Sequence, residues 1–433
     1  MLSRSGYLTE RNKDIESELT VSPKVNTDYV ARSIPFKVFK KNKDVLCVPQ
    51  HYGMERLGKA KEDTRQEPVS YDNIPFEASL KPELSQPEAV DAVMKSMRER
   101  GGAVLSLHAG FGKTICALKI ASLLKKRTLI IVHKDFLANQ WRQRIQQFCP
   151  GMSVGLIQQS TFDIEHPFVV GLLQTITLRE FDKDSFSSFG LVVVDEAHHI
   201  CAKVFSQSMF SMCPKYTLGL TATPERKDGL TNILYWFLGP SAFVSEPKRN
   251  DKAEVKFIRP ELDIHKQIFP TSRFGKLSMP TAITMLAEDE ERNKVILETI
   301  EGLIATGRKV LVLADRREHC KYLCQHVDGS ALYLGGMKEK DLDESATRKC
   351  IMGTFSMAQE GLDIGDIDTV FMVSPKSDVV QSIGRCMRAG GGRKNHSLIV
   401  DMRDDWGPFG SMYYKRRKTY IDLGLIDIKG KGQ

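Results

Sequence analysis

Hydrophobic positions in this chain come in two styles. Over residues 1–80 they are sparse: 36–39 (FKVF) alternates, 45–48 (VLCV) is a short apolar run, and Pro49 and Gly53 punctuate them. Such runs predict strands, so a small strand-containing domain is expected there, with a polar linker over 59–71. From residue 82 the pattern changes. Short, nearly all-apolar runs at 103–107, 128–132, 168–172, 191–194 and 216–220 alternate with helical patterns such as 115–124. After a polar stretch at 245–256 the same style returns at 309–313, 331–334, 350–354, 369–373 and 397–401. Continuous apolar strands separated by helices are the pattern of parallel sheets covered on both faces. The fold class expected is therefore α/β: two tandem parallel-sheet domains at 81–245 and 246–433, behind the N-terminal domain at 1–80.

Composition adds limits. The chain has 433 residues, of which 41% are hydrophobic and 27% charged, which excludes a mostly disordered chain, a collagen or a coiled-coil rod. Length alone gives a prior of about three domains. The net charge of +8 is compatible with a polyanion partner, and it is unevenly placed. Residues 411–433 carry Lys415, Arg416, Arg417, Lys418, Lys429 and Lys431 against only Asp422 and Asp427, so half of the excess lies there. The reading is either a solvated face or a phosphate-contacting edge. Nine cysteines without CxxC pairs suggest a reducing intracellular compartment. Cys320 and Cys324, flanked by His319 and His326, allow a zinc site as a minority reading against one packed helical face. No run approaches the ~18 apolar residues of a membrane span, and no signal-peptide core is seen, so a soluble protein is expected.

Two places carry chemistry. Residues 107–114 read LHAGFGKT, after an apolar run and before a helical one, which is the context a phosphate loop needs. Gly110 and Gly112 would let backbone N–H groups wrap the phosphates, Lys113 would neutralise their charge, and Thr114 would offer a hydroxyl to Mg²⁺. Leu107 stands where the pattern has glycine. The apolar run 191–194 ends in Asp195, Glu196, Ala197 and His198. A carboxylate at the tip of a buried parallel strand lies in the crevice where such sheets bind ligands. Asp195 would hold Mg²⁺, and Glu196 would orient and deprotonate the attacking water. In the second α/β domain the run 309–313 is followed by no glycine, so it cannot cradle phosphates the same way. It does carry QSIGRCMR at 381–388, with Arg385 and Arg388 on one helical face. Arginines supplied from a second domain can stabilise a transferring phosphoryl group, and a site so divided is how a nucleotide-driven motor is built.

These segments together resemble the superfamily 2 helicases of the DEAH-box type. LHAGFGKT resembles motif I, DEAH at 195–198 motif II, TATP at 221–224 motif III, SMAQEGLDI at 356–364 motif V and QSIGRCMR motif VI. The stretch from His133 and Lys134 to Gln140 and Trp141 is similar to motif Ia, and Gln174 with Thr175 to motif Ib. All occur in family order across residues 82–405. The stretch 219–240 is similar to the DNA helicases of nucleocytoplasmic large DNA viruses, and to related repair and transcription-factor translocases and phage recombination helicases. The N-terminal segments 8–11, 19–23 and 48–53 are similar to the same viral group, which implies a small damage- or duplex-recognition domain at 1–80.

The resemblance implies two RecA-like domains, with ATP and Mg²⁺ as cofactors. It implies translocation on or unwinding of DNA, 3′ to 5′. Nucleotide contacts would come from Gln86, Leu107, His108, Ala109, Gly110, Phe111, Gly112, Lys113, Thr114, Gly361 and Asp363. Catalysis would use Lys113, Asp195, Glu196, Gln381, Arg385 and Arg388, with Thr114 and Asp195 as metal ligands. His198, Thr221 and Thr223 would couple hydrolysis to motion. His133, Lys134, Gln174, Thr175, Arg316 and Thr354 would touch the nucleic-acid backbone, as a motor that steps over any sequence requires. A viral chain of this kind would work in the infected-cell cytoplasm or nucleus, or in the virion, within a transcription or replication complex. Two rivals stand: an RNA helicase, and a nucleic-acid-binding assembly factor with a vestigial ATPase. Intact Lys113, Thr114, Asp195, Glu196 and Arg388 speak against the second. Trp141, Trp236 and Phe237 are read as packing, His199 as structural, and Arg226 with Lys227 as a solvated turn or, less favoured, a DNA path.

Overall fold

The computed structural model describes residues 1–24, 34–108, 110–222, 225–226, 228–245, 253–273, 275–360, 364, 366–380, 382–383 and 395–426. The chain divides into two compact units, Met1–Glu246 and Pro247–Gln433.

The first unit contains two larger sheets and a two-stranded one in one body. Its N-terminal part is a four-stranded antiparallel sheet, ordered β1 (Leu2–Ser3), β2 (Gly6–Glu10), β6 (Val45–Val48), β5 (Lys40–Asn42), beside a short pair, β3 (Thr20–Val21) and β4 (Phe36–Lys37). Leu2, Tyr7, Ile15, Leu19, Phe39, Leu46, Val48 and Tyr52 bury together with Cys213 from the larger sheet's side, so this segment is packed on its neighbour, not set apart from it. The helix Gln50–Leu57 keys it in place. His51 Nε2 lies 2.8 Å from Thr217 Oγ1. A Cβ on Gly102 would fall 2.4 Å from that same nitrogen, so only glycine admits the imidazole there.

The larger sheet has eight strands: β7 (Gly102–Ser106), β8 (Thr128–Val132), β9 (Val154–Gln158), β10 (Thr161–Phe162), β11 (Phe168–Leu172), β12 (Leu191–Val194), β13 (Tyr216–Thr221) and β14 (Ser241–Val244). Their order is β10-β9-β11-β8-β12-β13-β7-β14, parallel throughout except for the β9–β10 hairpin. The five apolar runs of the sequence become β7, β8, β11, β12 and β13. Every residue of the first four is buried, because hydrophobic clusters cover both faces.

The second unit holds a six-stranded parallel sheet: β15 (Glu254–Ile258), β16 (Val310–Ala314), β17 (Ser330–Tyr333), β18 (Cys350–Thr354), β19 (Thr369–Met372) and β20 (Leu398–Met402). The order is β15-β20-β19-β16-β18-β17. β15 is an edge strand drawn from the stretch expected to be a polar connection. The terminal helix Phe409–Asp422 corrects the reading of the basic tail. Arg416 is buried and its guanidinium takes both oxygens of Asp401, at 2.8 Å from each, while Tyr420 Oη donates to the same carboxylate. Arg416 is therefore an internal strut; Lys415 and Lys418 face solvent. The zinc reading is also not realised. His319 Nε2 is 2.9 Å from Asn293 Oδ1, Cys320 lies in the core, and no metal-ligating cluster occurs among the described residues.

Two buried imidazoles set a pH dependence. Burial, aided by Arg65 for His51 and by Arg292 for His319, pushes each down to about 3. Both are thus neutral in the fold, whereas in an unfolded chain they take up protons as pH drops below ~6.5. The unfolded state then binds more protons, so stability is lost on acidification between ~6.5 and ~3. The expected loss is about 2 kcal/mol per group at pH 5. Urea midpoints measured from pH 7 to pH 5 should fall less steeply in His319→Gln than in the parent. Equal slopes would remove His319 from the account.

Candidate nucleotide site

The phosphate loop begins where β7 ends. Leu107 is buried and its N–H donates to Thr221 O at 2.8 Å, continuing the pairing with β13. That explains an apolar residue at this position: it still belongs to the sheet. Gly110 (φ +87°) and Gly112 (φ +99°) take left-handed backbone that a Cβ resists. The helix Lys113–Leu124 starts directly after Gly112, so its unpaired N–H groups and dipole face the loop. The loop is pinned at both ends. Phe111 is buried with its ring edge-on to His108 at 5.5 Å, and His108 N–H donates to Ser245 Oγ at 2.9 Å. Gln86 lies behind the loop. Its Nε2 donates to Phe111 O and its Oε1 accepts from Lys81 N–H at 2.8 Å, so the buried carboxamide braces the loop backbone.

The acidic tip meets this loop. Asp195 N–H still donates to Ile131 O at 2.9 Å, and the chain then turns through Glu196, a non-glycine residue at φ +45°. Such backbone costs on the order of 1–2 kcal/mol and is typical of functional sites. Glu196 Oε1 accepts from Lys113 Nζ at 2.9 Å, bringing the loop lysine and the acidic pair into contact. Asp195 Oδ1 accepts from Glu196 N–H at 2.9 Å, and Oδ2 accepts from Trp141 Nε1–H at 2.9 Å. Burial and the neighbouring Glu196 charge raise the Asp195 pKa. Thr114 opens the same helix, so a hydroxyl and a carboxylate, both hard oxygen donors, flank the crevice; this donor set fits Mg²⁺.

Beyond the carboxylates stands a stack of imidazoles. The His133 and His199 rings are 4.0 Å apart and those of His198 and His199 4.4 Å. Burial lowers the pKa of all three, that of His199 to about 3, so all are held neutral. His198 Nδ1 is 3.4 Å from Thr221 Oγ1 and 3.7 Å from Glu196 Oε2, which joins two of the expected coupling residues to the acidic tip. Arg226 is no part of an open path. Its Nη1 donates to His198 O at 2.6 Å and its other nitrogens hold Asp228, so it clamps the turn after the carboxylates. Sequence reasoning named Trp141, Arg226 and His199 but not the contacts they make with Asp195, His198 and the imidazole stack.

The expected backbone contacts fall on strand ends. His133 and Lys134 follow β8. Gln174, which is exposed, and Thr175 follow β11 in the helix Leu173–Leu178. Because β11, β8, β12, β13 and β7 lie side by side and parallel, these residues share the sheet edge that carries Asp195, Thr221 and the loop. In the second unit, Arg316 and Thr354 follow and end the paired strands β16 and β18. Arg316 donates to Asp315 Oδ2 (2.6 Å), Pro280 O (2.9 Å) and Thr284 Oγ1 (3.2 Å); Thr354 Oγ1 is 3.1 Å from Ser356 Oγ. Ala109, Thr223, Gly361, Asp363, Gln381, Arg385 and Arg388 lie outside the described residues.

A parallel sheet with a glycine loop, a lysine-led helix and an acidic strand tip defines a phosphate-loop nucleotide-binding protein. Comparison with known families sharpens this. Residues 79–226 match the family described as type III restriction enzyme, res subunit, and residues 291–390 match the helicase conserved C-terminal domain. A putative ATP-dependent RNA helicase of Acanthamoeba polyphaga mimivirus is 32% identical over 451 residues, covering 99% of this chain and 86% of that protein. A putative ATP-dependent RNA helicase of African swine fever virus is 26% identical, over 79% of this chain and 73% of its own. A probable helicase of Escherichia phage T5 is 27% identical, over 69% of this chain and 67% of its own. The chain belongs to helicase superfamily 2, with two RecA-like domains and viral relatives. Membership implies ATP use and hydrolysis. No helix among the described residues is long and apolar enough to cross a membrane.

Gly112 tests the loop. A Cβ there would lie 2.5 Å from Gln86 Nε2 on left-handed backbone. With a strain of about 1–2 kcal/mol concentrated in the loop, Gly112→Ala should weaken ADP binding by roughly ten-fold or more in calorimetry. Parent-like affinity would mean that the loop accepts a side chain there.

Proposed function

We propose that the chain is a DNA-dependent ATPase of the DEAH-box type that translocates on or unwinds DNA. The observation that carries the reading is the Lys113–Glu196 ion pair at 2.9 Å, which puts a phosphate-binding lysine on the carboxylate assigned to activate water. Incoming ATP would draw Lys113 onto its β- and γ-phosphates and release Glu196 to orient the attacking water and take its proton. Thr114 and Asp195 would hold Mg²⁺, which when bound neutralises phosphate charge. The held Asp195 keeps its oxygens aimed, and the half-buried histidine stack lies against the acidic pair. His198 and Thr221, with Thr223 by motif position, would report phosphate release to β13. By motif position Gln381, Arg385 and Arg388 are assigned to the transferring phosphoryl group, and Gly361 and Asp363 to the nucleotide. His133, Lys134, Gln174, Thr175, Arg316 and Thr354 are assigned to the track.

DNA is favoured by the likeness of residues 219–240 to viral DNA helicases. A second reading, an RNA track, is favoured by the printed names of the mimivirus and African swine fever virus relatives. ATPase rates against duplex DNA, single-stranded DNA and RNA at fixed salt separate them: stimulation by DNA alone is expected, and stimulation by RNA alone would replace the first reading with the second. Lys113→Ala and Glu196→Gln should each abolish turnover while leaving nucleic-acid binding within about two-fold, since the track contacts lie on other strands. Parent-like ATPase from either would sink the assignment.

The terminal helix is assigned an auxiliary grip through its exposed Lys415 and Lys418. Replacing both with glutamine should lower the slope of log K against log salt for duplex DNA by up to about 2. An unchanged slope would leave a solvated face.

A further inference from the structure

The indole of Trp141 is buried, and a buried indole N–H normally finds an acceptor. Here that acceptor is a carboxyl oxygen, Oδ2 of Asp195, at 2.9 Å. The other oxygen of the same carboxylate is held by Glu196 N–H at 2.9 Å. Two donors from different elements therefore fix the plane of the carboxylate, one from its own turn and one from a helix. That helix, Asp135–Phe148, begins immediately after His133 and Lys134, the residues assigned to the track. Leu137, Ala138, Trp141 and Ile145 form its buried face, so the indole is anchored on the same helix that starts after Lys134. A shift at its first turn reaches Asp195 through one hydrogen bond.

We propose that Trp141 is a positioning residue: its N–H sets the Asp195 carboxylate for Mg²⁺ and transmits to it the engagement of the track by the start of helix Asp135–Phe148. Packing alone would require the ring and not the N–H. Groups that orient a metal ligand without touching the metal typically contribute 10–100-fold in metal affinity. The inference rests on the nucleotide-site reading above.

The test is Trp141→Phe, which keeps an aromatic ring and removes the donor. ADP binding is measured by calorimetry with Mg²⁺ and again with EDTA, and DNA stimulation of the ATPase is measured alongside. The expected result is about ten-fold weaker binding with Mg²⁺, unchanged binding in EDTA, and a reduced ratio of stimulated to basal rate. In an Asp195→Asn background the same substitution should cause no further loss of Mg²⁺-dependent binding. An equal loss with and without Mg²⁺, or additive losses in the double variant, would overturn the proposal and return Trp141 to packing. Where phenylalanine lowers the melting temperature, the benzothienyl isostere of tryptophan, which removes only the N–H, must give the same Mg²⁺-specific loss; failure to do so also overturns it. A parent protein without Mg²⁺-dependent ADP binding would instead sink the nucleotide-site reading.

Discussion

β12 is four apolar residues buried on both faces, and the chain can first place a charge where that cover ends, at Asp195. The same holds for each central strand of the larger sheet. Burial of an unpaired ion is costly, so polar chemistry is pushed to the strand ends. Because the strands run parallel, those ends lie on one edge. The loop, the acidic tip, Thr221 and the track residues assigned in the first unit (His133, Lys134, Gln174 and Thr175) share that edge for this reason, although the sequence spreads them from His108 to Thr221.

Electrostatics then hold the edge in a loaded state. Lys113 and Glu196 compensate each other while Asp195 is left with two hydrogen-bond donors and a raised pKa. Glu196 sits on left-handed backbone and Arg226 clamps the following turn through His198 O. The pair is therefore kept in place by contacts from the loop helix, the helix of Trp141 and the turn after β13. The two helices begin at different proposed ligand contacts, Lys113 for the nucleotide and Lys134 for the track, which suits a site whose occupancy must be felt elsewhere.

The central strands and the loop were legible because their signal is local: four or five successive apolar residues, then a motif. Strands at or next to the sheet edges were not. Val154–Gln158 alternates between buried and half-exposed positions, and Glu254–Ile258 has no fully buried residue, so neither reads as an apolar run. The supports of the site were illegible for a related reason. Trp141 bonds a residue 54 positions away and Arg226 one 28 positions away, and no local pattern encodes such a partner. In the run 415–418 the charges were visible, but the helix phase that turns Arg416 inward to Asp401 was not, because Asp401 lies on a strand. The order of motifs gave the family; the contacts between them came only from the fold.

β13 has a different function at each end. Near its start Thr217 meets His51 of the N-terminal segment, and at its finish Thr221 meets His198 beside the Asp195–Glu196 pair. Four residue steps of strand separate the two threonines, roughly 13 Å of backbone at 3.3 Å each. β7 pairs with β13 over that whole length and β12 as far as Gly219. A strand tied on both sides resists bending and transmits axial displacement, as a push-rod does. The N-terminal segment thus sits at the far end of a stiff shaft whose near end lies beside the acidic tip.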